Sequence, residues 1–236
     1  MASQEHLSKQ FDIDLDTVRT RVLQMGGLVE SQVVAAIEGF ATGNRELIER
    51  VSTSDYRVNA YEVSIDNDCS HIIVRRQPAG SDLRMVMAIS KIVTDLERIG
   101  DEAEKIARMS KQIHDRGTLQ IQRFAEIRHM GSTAVKMLRE ALDAFARQDT
   151  AQAANVVLED IAIDNEFRSI IRQLITFMME DPRTITTALE ITWIAKAIER
   201  VGDHAKNIAE NVIYIVKGTD VRHTTLEDVE REAKKT

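Results

Sequence analysis

The feature that most constrains this chain is an eleven-residue stretch that occurs twice. Residues 96–106 read LERIGDEAEKI, and residues 198–208, which lie 102 positions later, read IERVGDHAKNI. Glutamate, arginine, glycine, aspartate and alanine recur in place, and the apolar positions exchange one branched residue for another. A repeat over this distance predicts two structurally equivalent halves.

Apolar residues within and next to these stretches recur at alternating steps of four and three. The pattern runs from Met85 to Ile106 and again from Ile191 to Ile215, and heptad spacing of this kind is typical of bundled helices. Breaks between periodic segments predict six long helices. They span 12–40, 45–77, 82–115, 120–147, 150–179 and 183–217.

The predicted fold is therefore all-α, with two tandem three-helix bundles related by an internal pseudo-two-fold repeat. Residues 1–117 form the first bundle and residues 118–218 the second. Residues 219–236 form a charged C-terminal tail, either a short helix or disordered.

Composition narrows the functional classes. A net charge of −7 disfavours a general nucleic-acid binder, which normally presents a basic face. The single cysteine, Cys69, cannot form an internal disulfide, which fits a reducing cytoplasm. No apolar stretch approaches the roughly 20 residues that span a membrane. We therefore expect a cytoplasmic protein that reaches a membrane only through partners.

Carboxylates in (i, i+4) pairs, which share one helix face, are the main candidate site residues. The pairs are Glu62/Asp66 and Glu97/Asp101 in the first half, and Asp160/Asp164 and Glu199/Asp203 in the second. In each half the two pairs lie at similar distances from the predicted hairpin turn. An antiparallel hairpin therefore brings all four acids of a half to about the same height.

Four carboxylates that converge with no Lys or Arg among them repel one another unless protons or cations neutralise them. Oxygen-only donors favour hard ions, so the expected ligands are Mg²⁺, Mn²⁺, Ca²⁺ or iron, and zinc is less suited to a site without Cys or His. The alternative is an ordinary solvated acidic face, on which each pair destabilises the helix by only tenths of a kcal/mol.

The glycines and arginines beside the acids each have two possible interpretations. Gly100 and Gly202 either allow close helix packing or expose backbone next to the acids, since glycine inside a helix costs roughly 0.5–1 kcal/mol. Arg98 and Arg200 either pair with neighbouring acids on the surface or bind an anion or partner.

Other catalytic signals are weak. The spacing Glu126-x-x-His129 is half of the motif used by ferritin-like di-iron proteins, which need two such motifs facing the interior. The first predicted helix has no counterpart to it. Cys69 is interpreted as a packing residue, and no catalytic residue is assigned.

The repeated acidic motifs resemble those of the PhoU family of bacterial phosphate-uptake regulators. Further matches are Arg76-Gln77-Pro78, Asp82-Leu83-Arg84 and the run of residues 178–181, MMED. The resemblance implies two three-helix bundles with metal clusters at the eight acids, in a protein that is not an enzyme.

The resemblance also implies partners. It places the protein between the ATPase subunit of a high-affinity phosphate ABC transporter and a phosphate-sensing histidine kinase, as a homodimer or larger oligomer that restrains the phosphate-starvation response.

Three functional hypotheses follow. The first is this regulatory adaptor, the second is a metal-cluster protein with redox or phosphate-ester chemistry, and the third is a purely structural bundle whose acids are solvated.

Overall fold

The computed structural model describes residues 9–117 and 124–235, and all regular secondary structure within them is helical. The helices are α1 (Lys9–Thr42), α2 (Arg45–Ser52), α3 (Asp55–Arg76), α4 (Ser81–Arg116), α5 (Phe124–Arg147), α6 (Thr150–Glu180), α7 (Ile185–Lys217) and α8 (Leu226–Lys234). A 3₁₀ turn, Pro182–Thr184, precedes α7. The predicted all-α fold class is confirmed. None of the described helices has the length and apolarity needed to cross a bilayer.

Some predicted boundaries lie outside the described residues. They are the beginning of the fourth helix at position 120, the start of the second bundle at 118, and the first residues of the chain. The division into two domains therefore stays a prediction.

The predicted helix over 45–77 is interrupted, and this boundary prediction was wrong. Two hydroxyl side chains at the break donate hydrogen bonds to carbonyl groups of the preceding turn: Thr53 Oγ1 to Glu49 O at 2.9 Å and Ser54 Oγ to Val51 O at 3.1 Å. Serine and threonine compete with helix propagation through such bonds. Apolar periodicity continues across the break, so the pattern alone did not reveal it.

One continuous hydrophobic core runs through the molecule. In the first half α4 packs on α1 and α3, and in the second half α7 packs on α5 and α6. Contacts between α4 and α7, and between α1 and α5, join the halves. The apolar residues of the predicted heptad pattern form a seam along each of the helices α4 and α7, and all of them are buried: Met85, Ile89, Ile92, Leu96, Ile99, Ala103 and Ile106 on α4, and Ile191, Ile194, Ile198, Val201, Ala205, Ile208, Val212 and Ile215 on α7.

The crossing of α1 and α5 shows the pseudo-two-fold relation directly. A Cβ atom on Gly26 would lie 2.6 Å from Leu142 Cδ2, and one on Gly131 would lie 2.6 Å from Ile37 Cδ1. The same 105-residue offset relates Gly26 to Gly131 and Ile37 to Leu142. Each helix therefore places its glycine against the equivalent aliphatic side chain of the other.

Helices α4 and α7 are antiparallel. Near the start of α4, the Lys91 ammonium lies 5.5 Å from the ring centroid of Tyr214, close to the end of α7. Near the other end, Arg116 Nη1 lies 2.6 Å from Glu190 Oε1. The α3–α4 and α6–α7 turns consequently lie at opposite ends of the α4–α7 pair.

The described part of the C-terminal tail contains a packed helix, α8. Thr225 caps its N-terminus by accepting a hydrogen bond from Asp228 N at 3.2 Å. Val229 and Ala233 are buried, and Thr150 Oγ1 donates to Ala233 O at 2.9 Å. Of the two predictions for this tail, the short helix is the one observed.

Candidate metal centre

The first carboxylate cluster lies between α3 and α4. Burial raises the pKa of the Glu62 carboxyl above its usual value, and the negative charges of Asp66 and Asp101 raise it further, whereas Arg98 lowers it. The hairpin therefore brings acids from both helices within electrostatic reach of one another. Asp101 is exposed, as its position opposite the apolar seam predicts.

A hydrogen bond ties the two helices together at this cluster. Ser90 Oγ on α4 donates to Asp66 Oδ1 on α3 at 2.8 Å. The fourth predicted acid, Glu97, is half-buried on α4, four positions before Asp101.

The second cluster lies between α6 and α7 and is more deeply buried. The pKa of Asp203 rises to about 6 because burial disfavours the charged form and because Glu199 and Asp160 lie close by; Lys196 opposes the rise and Asp164 adds to it. The other three predicted acids of this half therefore lie within electrostatic reach of Asp203. Asp160 is 7% exposed and Glu199 is 8% exposed.

Basic side chains accompany the second cluster, contrary to the expectation of unaccompanied acids. Lys196 Nζ donates to Glu199 Oε1 at 2.6 Å and contacts Oε2 as well. Lys206 Nζ donates to Asp160 Oδ2 at 2.8 Å. Arg168, with Nη2 3.7 Å from Asp164 Oδ2, is more distant. Each of the two buried carboxylates, Glu199 and Asp160, thus accepts a hydrogen bond from a lysine.

The sequence contained a signal for these lysines. Lys196 stands three residues before Glu199, and Lys206 three residues after Asp203, so both lie on the helix face of the acids. The repeat-equivalent positions in the first half are Thr94 and Glu104. Because the two repeats differ in charge at these positions, the sequence already indicated that only the second cluster has lysines beside its acids.

The two glycines of the repeated stretch pack helices together. A Cβ on Gly100 would lie 3.3 Å from Val58 Cγ1, and one on Gly202 would lie 2.8 Å from Ile163 Cδ1. The helix-packing interpretation of these residues therefore accounts for their position.

Polar contacts between α4 and α7 join the halves and were not predicted. Arg200 Nη1 lies 3.0 Å from Glu102 Oε1, which is buried. Nearby, Asp95 Oδ1 lies 2.8 Å from His204 Nδ1 and accepts from Asn207 Nδ2 at 3.1 Å. Arg200 therefore pairs with an acid, as predicted, but that acid is buried and belongs to the other half rather than being a neighbour on the surface.

The donor sets of the two clusters differ in how well they suit a metal ion. Across residues 9–117 and 124–235, no group of three or more His, Cys, Asp or Glu side chains has the geometry of a metal site. The first cluster offers carboxylates and a hydroxyl, the oxygen donors that hard divalent ions prefer. In the second cluster, ammonium groups already bond the two buried acids. Metal binding stays a prediction.

The half-motif Glu126-x-x-His129 does not face the bundle interior. His129 is 73% exposed, and its Nε2 lies 3.2 Å from Glu166 Oε1 in an open cleft of about 380 Å³. A ferritin-like centre requires inward-facing ligands, so this arrangement argues against that alternative. Cys69 is buried, and burial followed by the charges of Asp66 and Asp68 raises its pKa to about 12, consistent with a packing role.

Comparison with known proteins decides the family. The model of the PhoU domain matches the chain twice, over residues 22–110 and 127–212. The chain belongs to the PhoU family. The two matches cover one acid quartet each, so this PhoU-family chain carries its eight predicted site residues inside the family's domains.

Relatives of this PhoU-family chain match it over most of its length. The phosphate-specific transport system accessory protein PhoU homolog of Pseudomonas aeruginosa is 48% identical over 227 residues, 96% of this chain and 93% of that protein. The corresponding PhoU of Escherichia coli K12 is 42% identical, with the same coverage.

Solved PhoU structures have the same fold. The crystal structure of PhoU from Pseudomonas aeruginosa superposes with a TM-score of 0.86 at 48% identity, covering 89% of this chain and all of that one. The phosphate transport system regulatory protein PhoU from Streptococcus pneumoniae gives a TM-score of 0.81 at 27% identity, covering 89% of this chain and 99% of that one.

Proposed function

We propose that this protein is an accessory regulator of phosphate transport that restrains phosphate uptake and the phosphate-starvation response. The observation that carries the proposal is the match of both halves to the PhoU domain, together with relatives described as accessory proteins of the phosphate-specific transport system. In the finer form of the proposal it is a cytoplasmic adaptor, homodimeric or larger, between the ATPase subunit of the transporter and a sensor histidine kinase.

Exposed apolar residues support an adaptor with two contact surfaces. Leu83 and Met87 on α4 are 38% and 48% exposed, and their repeat equivalents Ile185 and Leu189 on α7 are 41% and 48% exposed. Each pair follows a hairpin turn, and these turns lie at opposite ends of the α4–α7 pair. The members of each pair are four residues apart and therefore adjacent on one helix face, and contiguous exposed apolar groups mark interaction surfaces.

The adaptor proposal is tested by co-purification and by a starvation-gene reporter. We expect the wild-type chain to capture the ATPase subunit and the kinase, and to keep the reporter low in high phosphate. Met87→Glu and Leu189→Glu place a charge on each apolar surface and should each weaken the capture of at least one partner. Val34→Glu, at an exposed valine on α1, is the matched control.

Two results would overturn the adaptor proposal. One is capture of neither partner by the wild-type chain. The other is a reporter that stays low in high phosphate when the gene is deleted. Circular dichroism of each variant separates lost contact from lost fold.

Metal binding at the first cluster is the second part of the proposal. Glu62, Asp66, Glu97 and Asp101 supply hard oxygen donors. The pKa of Glu62 is raised first by burial and then by the charges of Asp66 and Asp101, and a divalent cation would relieve that repulsion. We expect calorimetry to detect Mn²⁺ binding that the double change Glu97→Gln with Asp101→Asn abolishes. Unchanged binding in that variant would refute this assignment.

A further inference from the structure

The two carboxylate clusters occupy equivalent positions in the sequence repeat, but the residues beside them differ in charge. In the second cluster, the lysine ammonium groups lie 2.6 Å from Glu199 and 2.8 Å from Asp160. The corresponding positions of the first half hold Thr94, which has no charge, and Glu104, which adds another negative charge.

The two acids that bond to lysines are buried, and a buried carboxylate needs a partner to remain charged. Glu199 and Asp160 are nearly inaccessible, and an uncompensated carboxylate in such a place is strongly disfavoured. Lys196 and Lys206, on α7 before Glu199 and after Asp203, supply the compensation. Each lysine therefore takes the electrostatic role that a bound cation would have.

Both lysines are held by additional groups. Lys196 Nζ lies 5.5 Å from the ring centroid of Phe167 on α6, a cation–π contact. Lys206 Nζ donates its hydrogen bond to Asp160 Oδ2, and the negative charges of Glu210 and Asp203 also act on it.

The first half lacks both supports. The position equivalent to Phe167 is Cys69, and the position equivalent to Glu210 is Arg108. The cation that acts on Glu62 is Arg98, which is exposed.

We propose that Lys196 and Lys206 close the second cluster to metal, so that these two side chains determine which of the repeated clusters can take a divalent cation. The inference deepens the metal part of the proposed function. An ion entering the second cluster must displace two ammonium groups from hydrogen bonds to buried carboxylates. Charge repulsion between the ion and the lysines opposes that entry.

The test exchanges residues between the halves of the full-length protein and measures Mn²⁺ binding after treatment with a chelator. Lys196→Thr with Lys206→Glu gives the second cluster the first-half residues. We expect Mn²⁺ to bind there at least about tenfold more tightly than in the wild type. Adding Glu199→Gln and Asp203→Asn should remove that new binding. If the variant with Lys206→Glu does not fold, the same measurement is made on Lys196→Gln with Lys206→Gln.

Separate outcomes judge the two proposals. The inference is overturned if neither lysine variant, once folded, gains Mn²⁺ binding, or if Glu199→Gln with Asp203→Asn removes binding from the wild type. Loss of binding at the first cluster concerns only the other proposal, because the gain at the second cluster does not require the first to bind. As a reciprocal control, Thr94→Lys with Glu104→Lys should weaken any Mn²⁺ binding at the first cluster.

Discussion

Glu210 shows how the environment of a single side chain alters its chemistry. It is buried on α7, and burial raises the pKa of its carboxyl to about 7 although Lys206 and Arg222 oppose the rise. The unfolded chain releases this proton near the usual value of 4.5. Between these two pH values the folded state binds a proton that the unfolded state does not, so stability falls as the pH rises through that window.

Replacing Glu210 by Gln removes this charged form and should stabilise the protein at alkaline pH. After allowance for solvent screening, we expect a gain of about 1–2 kcal/mol in the free energy of unfolding at pH 8 and a much smaller gain at pH 5. Urea unfolding at both pH values measures it. Glu227→Gln, at an exposed position on α8, is the control. An equal gain at both pH values would show that the effect is not electrostatic.

At the scale of the element, short helices depend on their caps. Asn44 caps α2, an eight-residue helix, because its Oδ1 accepts from Glu46 N at 3.0 Å and Leu47 N at 3.2 Å. Asn44→Ala leaves both donors unpaired and should lower the free energy of unfolding by about 1 kcal/mol. Asn44→Asp keeps an acceptor and should be close to the wild type. Thermal unfolding that fails to separate the two variants would contradict this role.

A buried charge introduced into helix α8 should open this helix locally while the other helices stay folded. Its Val229 is 2% exposed, so Val229→Asp buries a charge that local opening can release into water. We expect faster hydrogen exchange over residues 226–234 and unchanged exchange in the middle of α4. Glu230→Gln, one residue along the same helix, provides the comparison. Equal acceleration in α4 would mean that α8 belongs to the global cooperative unit.

At the scale of the whole molecule, the close packing of α1 against α5 depends on two glycines, Gly26 and Gly131, which have no side chain. Gly26→Ala or Gly131→Ala would force a methyl group to within 2.6 Å of Leu142 or Ile37, and such overpacking typically costs about 1–3 kcal/mol. The neighbouring Gly27 has open space at its Cβ position. Gly27→Ala should instead stabilise by roughly 0.5–1 kcal/mol. Chemical denaturation of the three variants would refute this account if Gly26→Ala and Gly27→Ala shifted stability alike.

Much of this fold was predictable because it follows from local periodicity. Apolar spacing identified the buried seams of α4 and α7, and the repeated stretch identified two equivalent halves. The same local logic placed the acid pairs on shared helix faces, and the hairpin geometry brought acids of neighbouring helices together. The break between α2 and α3 escaped prediction because hydroxyl-to-carbonyl bonds at Thr53 and Ser54 leave the apolar pattern unchanged.

The sequence by itself determined most of the helices, their buried faces and the placement of acid pairs on shared helix faces, because these depend on residues a few positions apart. Only the tertiary structure decided that α4 and α7 share one core, that Arg200 reaches Glu102 in the other half, and that Lys206 bonds Asp160. The reason is that a charge on one helix finds its partner on another only after packing sets the height and rotation of both.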